Sequence, residues 1–145
     1  MNNSDRTAII DFVNRYAYAL DEREWATLDD VFTVDAVARY GSLRSRALVG
    51  RTAIVASIQG YLGGCGPSQH LLRNHVVNVE GDLATALCKA RVYHYGAGPR
   101  AHLTPYECFG IYRDRLRREQ PGWRIYERTF DVSLAVGDET ILQPR

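Results

Sequence analysis

"HLLRNHVVNVEGDLATALCKARVYHY", residues 70–95, decides how this chain folds. Two long β-like runs flank Gly81 and Asp82, and a Gly-Asp pair in that position makes a tight hairpin turn. The second run alternates Ala84, Ala86, Cys88, Ala90, Val92 and His94 on one face, and a period of two is that of a strand. Small side chains along a strand face leave room for something, either a ligand or a packed helix. The same pattern continues downstream. "YECFGIYRDRL" and "WRIYERTFDVSLAV" form a second hairpin across "EQPG", and "AGPRAHLTP", residues 97–105, is the loop between the hairpins.

Upstream of Pro67 the period changes. Ser4 is placed to cap a helix with Asp5 in its first turn, and Ile9, Val13, Tyr16, Ala17 and Leu20 recur at helical spacing. Trp25, Leu28, Val31 and Phe32 line one face of a second, short helix. "AVARYGSL" then alternates as a first strand turning at Gly41, with "RALVG" as its short partner. Ile54, Val55, Ile58 and Leu62 make a third helix, which ends at "GGCGP". Helices first and long antiparallel strands after predict an α+β domain spanning residues 1–145, its helices covering one face of a curved sheet. Such a curve leaves a hollow, a common place for a ligand.

Composition narrows the function classes. The hydrophobic fraction of 46% and charged fraction of 24% are those of an ordinary globular protein rather than a disordered or collagen-like chain. A net charge of +1 gives no field for nucleic acid or a membrane surface. The one basic run, "RDRLRRE" at 113–119, reads as the solvated end of a hairpin. No apolar run nears the ~18 residues that span a bilayer. "MNNSDRTAII" is polar and passes straight into helical periodicity, unlike a secretory leader. The three cysteines are widely spaced with no CxxC pair, which fits reduced thiols, a cytoplasmic location and no metal site.

Asp21 lies just past the last apolar position of the first helix, on the flank of its buried stripe. It reads either as a carboxylate at the mouth of the hollow or as one more solvated residue of "DERE". His70 opens the first long strand, and His94 closes the next. A two-residue turn at Gly81–Asp82 puts His75 on the same face as Cys88 and His94, and His70 on the other. His70 joins His94 only if a bulge or sharp twist intervenes; with a regular register His75 is the pocket histidine.

"YAYALDEREWATLDDVFTVDAVARYG", "GPSQHLLRNHVVNVEGDLATALCKARVYHY" and "GWRIYERTFDV" resemble the SnoaL-like branch of the nuclear transport factor 2-like superfamily, home to scytalone dehydratase, bile-acid dehydratase and polyketide cyclases. The resemblance covers nearly the whole chain. It implies a cone-shaped, strongly bent mixed β-sheet with about three N-terminal helices enclosing an apolar pocket. It also implies a catalytic Asp–His pair, matched by Asp21 in its "YxxALD…W" context and His70 in "SQH". Tyr16, Tyr40 and His94 match assisting positions, Trp25 follows the aspartate, and Arg128 resembles a lone arginine late in the last strand. Cys88 and His75 complete the candidate pocket lining.

The chemistry this implies is proton abstraction beside a carbonyl group, the opening step of dehydration, double-bond isomerisation and aldol cyclisation. Histidine serves as base because its ordinary pKa is ~6.5. An aspartate on one ring nitrogen fixes the tautomer, and tyrosines donate to the developing enolate. The expectation is therefore a lyase or isomerase of dehydratase or cyclase type, working without cofactor or metal on a small, cyclic or polyketide-like substrate. A non-catalytic binding or assembly module of the same fold is the alternative, and epoxide hydrolysis the third. An outer sheet face carrying Lys89, Arg91 and Tyr93 beside Tyr112 and Tyr126 offers a surface for another subunit, and the resemblance implies a homo-oligomer, dimer or trimer; no nucleic-acid or membrane partner is expected.

Overall fold

A computed structural model describes residues 3–144. Two α-helices and six strands follow one another as α1 (Asn3–Asp21), a 3-10 helix (Trp25–Asp30), β1 (Phe32–Gly41), β2 (Leu48–Val49), α2 (Arg51–Gly63), β3 (Ser68–Glu80), β4 (Leu83–His94), β5 (Tyr106–Arg118) and β6 (Trp123–Val136). The sheet order is β2-β1-β6-β5-β4-β3. Only the β1–β6 pair is parallel, so the sheet is mixed. It curls without closing, and the three helical segments cover its concave face. This is the expected α+β cone.

The helices stand where apolar spacing places them. Ile9, Val13, Tyr16 and Leu20 form the buried stripe of α1, and Ile54, Ile58 and Leu62 that of α2. A fully buried aliphatic side chain contributes roughly 1.5–3 kcal/mol, so these stripes hold the helices against the sheet. Boundaries differ from expectation at two places. Helix α1 begins at Asn3, ahead of the expected Ser4 cap. Phe32 belongs to β1 rather than to the short helix, because the chain pairs with β6 as soon as the 3-10 turn ends: Ile125 N–H bonds to the Val31 carbonyl, and Phe32 aligns with Ile125. Among the described residues no helix is long and apolar enough to cross a membrane.

The Gly81–Asp82 turn pairs Glu80 with Leu83, as expected, but the ladder does not run regularly from there. Between Val76↔Leu87 and Arg73↔Lys89 the chain of β3 holds one residue more than β4. Asn74 takes a left-handed conformation at φ 58° to accommodate the extra residue. A bulge shifts side-chain parity by one. Val77 and Val79 therefore pair with Ala86 and Ala84 on the inner face beyond the bulge, while His70 and Leu72 pair with Val92 and Ala90 on the same inner face before it. The regular-register alternative for His75 is thus excluded.

Further irregularities bend the β1–β6 and β5–β6 ladders. On β5 the even-numbered residues face inward, which corrects one expectation: Tyr112 is buried and is not on the outer face with Lys89, Arg91 and Tyr126. The same alternation corrects the solvated reading of "RDRLRRE", since Asp114 and Leu116 are buried.

The left-handed penalty for a non-glycine residue is about 1–2 kcal/mol, smaller for asparagine and larger for β-branched residues. Asn74→Gly is expected to leave stability unchanged or slightly raised, and Asn74→Val to lower it by roughly 1–2 kcal/mol or more. Urea denaturation checks both.

Candidate active site

Helix α1 ends without the glycine that usually closes a helix. Arg23 takes the left-handed position instead, at φ 59°, and Glu24 N–H bonds back to the Ala19 carbonyl. The arginine offsets the strain with its own side chain. Its Nη1 donates to the Leu20 carbonyl at 2.6 Å and to Ser68 Oγ at 2.9 Å, while Nη2 donates to the Gly66 carbonyl at 2.6 Å. The end of α1 is thereby fastened to the start of β3. Ser68 passes the contact on, donating to Asp21 Oδ1 at 2.9 Å.

Asp21 gathers two more donors. His70 backbone N–H reaches Oδ2 at 2.8 Å, and His70 Nδ1 lies 2.6 Å from Oδ1. Burial opposes the charge on Asp21, but the His70 ring, the His70 amide and Ser68 outweigh it and hold the carboxyl below its ordinary range. An ionised carboxylate only accepts, so Nδ1 carries the proton. The His70 side chain is 5% exposed and lines the hollow, and Nε2 is the ring nitrogen that Asp21 does not engage.

His94 lies edge-on to His70, ring centroids 5.9 Å apart, and stacks on Tyr106. Its Nδ1 donates to the Tyr106 carbonyl at 3.1 Å. Burial first, then the neighbouring His70, push its pKa down to about 4, so the ring is neutral near pH 7. Its Nε2 is then an acceptor only.

Tyr16 and Tyr40 place their hydroxyls 3.2 Å apart, so one donates to the other and the second hydrogen is free for a ligand. Burial drives the Tyr40 and Tyr112 hydroxyls well above their ordinary range and keeps them protonated. Behind them lies Arg128, fully buried, its guanidinium 4.1 Å from the Tyr16 ring centre and 4.5 Å from that of Tyr112. Asp114, its cross-strand partner, accepts from Nε and Nη2 at 2.7 Å each.

The hollow has a volume of about 490 Å³. Leu20, Leu62, Val92, Phe130, Val132 and Leu142 give it an apolar wall, and Tyr16, Tyr40, Tyr112, His70 and His94 supply its polar groups. A smaller groove of about 360 Å³, between α1 and the β5–β6 turn, has no acid–base pair of this kind.

The structure thus brings Asp21, His70, His94, Tyr16 and Tyr40 together, and leaves four expected pocket residues outside the lining. Trp25 packs half-buried against the core. Cys88 is buried in the core, where burial pushes its thiol up to about 12. His75 sits in the bulge with Arg6 and Arg73 as its charged neighbours. Arg128 is sealed behind the tyrosines because its charge needs Asp114. Arg23, Ser68 and Asp114 were not expected to matter. An arginine at a helix end where glycine is usual is the only sequence signal for the first, and nothing in the sequence marks the others. No cluster of three or more metal-ligating side chains occurs among the described residues.

Residues 2–129 match the SnoaL-like domain family. The uncharacterized protein Rv2910c of Mycobacterium tuberculosis is 33% identical over 129 residues, covering 86% of this chain and 83% of its own. A Novosphingobium aromaticivorans structure with the provisional name aromatic ring hydroxylase superposes with a TM-score of 0.84 at 26% identity, covering 99% of both chains. A second from the same organism, provisionally named scytalone dehydratase, gives a TM-score of 0.84 at 19% identity, covering 94% of this chain and 89% of its own.

Two stability predictions follow from the burial of these groups. His94 has a folded pKa below its unfolded value, so the unfolded chain takes the proton first. Its contribution is complete above pH ~6.5 and is lost as pH falls toward ~4. Denaturation midpoints measured across that window are expected to fall in the wild type and to fall less in His94→Asn. Removing Asp114 leaves Arg128 charged, buried and unpaired, so Asp114→Ala is expected to cost about 3–5 kcal/mol in calorimetry or urea denaturation.

Proposed function

Because the chain belongs to the SnoaL-like domain family, with the Asp21–His70 pair set in an apolar hollow, we propose that it abstracts a proton beside a carbonyl group, as a lyase or isomerase. The observation that carries this reading is the 2.6 Å contact between Asp21 Oδ1 and His70 Nδ1. The contact holds the Nδ1 proton toward the carboxylate, so that the free-base ring offers its Nε2 lone pair to a substrate.

His70 Nε2 takes the proton from the carbon next to the carbonyl. Asp21 stabilises the imidazolium that forms, and His94, neutral and 5.9 Å away, adds no competing charge. Electron density moves to the carbonyl oxygen. The Tyr16–Tyr40 hydroxyl pair donates to it, and the buried Arg128 behind the rings favours charge transfer toward those hydroxyls. His70 then returns its proton to a departing hydroxyl on the adjacent carbon, completing a dehydration. Return of the proton to a conjugated carbon instead gives an isomerisation. His94 Nε2, an acceptor only, orients a substrate hydroxyl through its hydrogen. The substrate class is a small cyclic β-hydroxy ketone or polyketide-like compound, and the reaction needs no cofactor. The scytalone dehydratase name of one structural neighbour is of the same reaction type.

Positioned acid–base catalysis is worth roughly 10²–10⁴ in rate. Incubating a panel of cyclic β-hydroxy ketones in D₂O and following the α-proton by NMR is expected to show exchange with the wild type. His70→Ala and Asp21→Asn are expected to be slower by roughly 10²-fold or more. Equal exchange by all three proteins contradicts the reading.

A further inference from the structure

Among the described residues Arg46 is the only permanently charged side chain in the lining of the hollow, and no carboxylate side chain lines it. Asp21 stands behind His70, and Asp114 is turned to Arg128. The Arg46 side chain is exposed and has no ion pair or hydrogen-bond partner among the described residues; Arg44, two residues earlier, is likewise exposed without a side-chain partner but does not line the hollow.

The loop that carries Arg46 is held in place. Gly41, at φ 113°, opens a turn in which Ser45 N–H bonds to the Ser42 carbonyl at 3.1 Å and Ser42 N–H to Ser45 Oγ at 3.0 Å. A side chain at Gly41 would both strain that backbone and crowd Ser45 Oγ. Arg46 leaves this turn next to β2, at one edge of the sheet, while His70 lies on β3 at the other edge. The hollow they share has an apolar wall and, on α2, Ser57 and Tyr61, one helical turn apart.

We propose that the ligand of this hollow is a ring compound bearing a carboxylate, and that Arg46 is the specificity-determining residue that grips it. A guanidinium matches a carboxylate through two parallel hydrogen bonds, and an unpaired one beside an apolar wall selects an amphiphilic anion over a neutral isostere. The hollow's volume of about 490 Å³ suits a two-ring compound. This inference rests on the proposed function only for which end of the substrate reacts.

The test is binding, read by isothermal titration calorimetry at low salt with 2-naphthoate and its neutral counterpart 2-acetylnaphthalene. The proteins are wild type, Arg46→Gln, Arg46→Lys and Arg44→Gln, the last removing an exposed charge of the same loop that does not line the hollow. A charge-assisted contact corresponds to about ten-fold in affinity. Wild type is expected to prefer naphthoate by about that factor. Arg46→Gln is expected to lose the preference while keeping its affinity for the ketone, and Arg46→Lys to retain part of it. Arg44→Gln is expected to bind naphthoate as the wild type does. No naphthoate binding by the wild type, equal binding of naphthoate by Arg46→Gln, or an equal loss in Arg44→Gln each overturns the assignment. Lost α-proton exchange with the Arg46 effect intact would remove the catalytic reading and leave the anion grip standing; the reverse result separates them in the other direction.

Discussion

A single carboxylate ties the helical layer to the edge of the sheet. Asp21 sits where α1 ends, and its three donors all come from the first residues of β3: the Ser68 hydroxyl, the His70 amide and the His70 ring. Such a carboxylate is stabilised as an anion, and the anion in turn dictates which ring nitrogen of His70 is protonated. Arg23 completes the joint from the other side by bonding both the helix end and the strand start. The joint is local, rigid and largely out of water, with side-chain exposures of 5% for His70 and 16% for Asp21.

The rest of the hollow is arranged around that joint. His70 can face inward only because the bulge at Asn74 reverses the parity of β3. Without it the apolar Val77 and Val79 and the polar Ser68 and His70 would need opposite faces of the sheet. The opposite wall depends on a second buried charge. Arg128 has no access to water, is neutralised by Asp114 and lies against the Tyr16 and Tyr112 rings. It sets a positive field behind the Tyr40 and Tyr112 hydroxyls, which burial keeps protonated. The hollow thus has an acceptor-rich side at His70 and His94 and a donor side at the tyrosines, and this polarity underlies the proposed proton abstraction.

Much of the fold was legible in the sequence, since strand alternation, the Gly81–Asp82 turn and the helical stripes of α1 and α2 are repeated, local signals. The register of β3 was not. A bulge adds one residue at a place marked only by Asn74, and alternation alone favoured His75 over His70. Among the candidate residues, those on the ends of elements, Asp21, His70 and His94, were found by motif resemblance, and the structure brings them together. Cys88 was expected in the lining because it shares a face with His94, and Arg128 because it resembles a lone arginine late in the last strand. Sharing a face does not reveal depth: Cys88 lies in the packed part of its strand, and Arg128 is drawn away by an aspartate that the basic run around it concealed. Arg23 was hidden among the charges of "DERE" because its role is a backbone conformation, which side-chain periodicity does not report.

The central claim is that Asp21 holds His70 as the Nδ1–H tautomer with a bare Nε2 facing the hollow. Two-bond ¹H–¹⁵N correlation spectra of the imidazole rings, recorded on wild type and Asp21→Asn near neutral pH, test it directly. The account predicts a protonated, pyrrole-type Nδ1 and an unprotonated, pyridine-type Nε2 for His70 in the wild type, with that pattern weakened or reversed in Asp21→Asn. A protonated Nε2 in the wild type, or identical tautomer patterns in the two proteins, would contradict it.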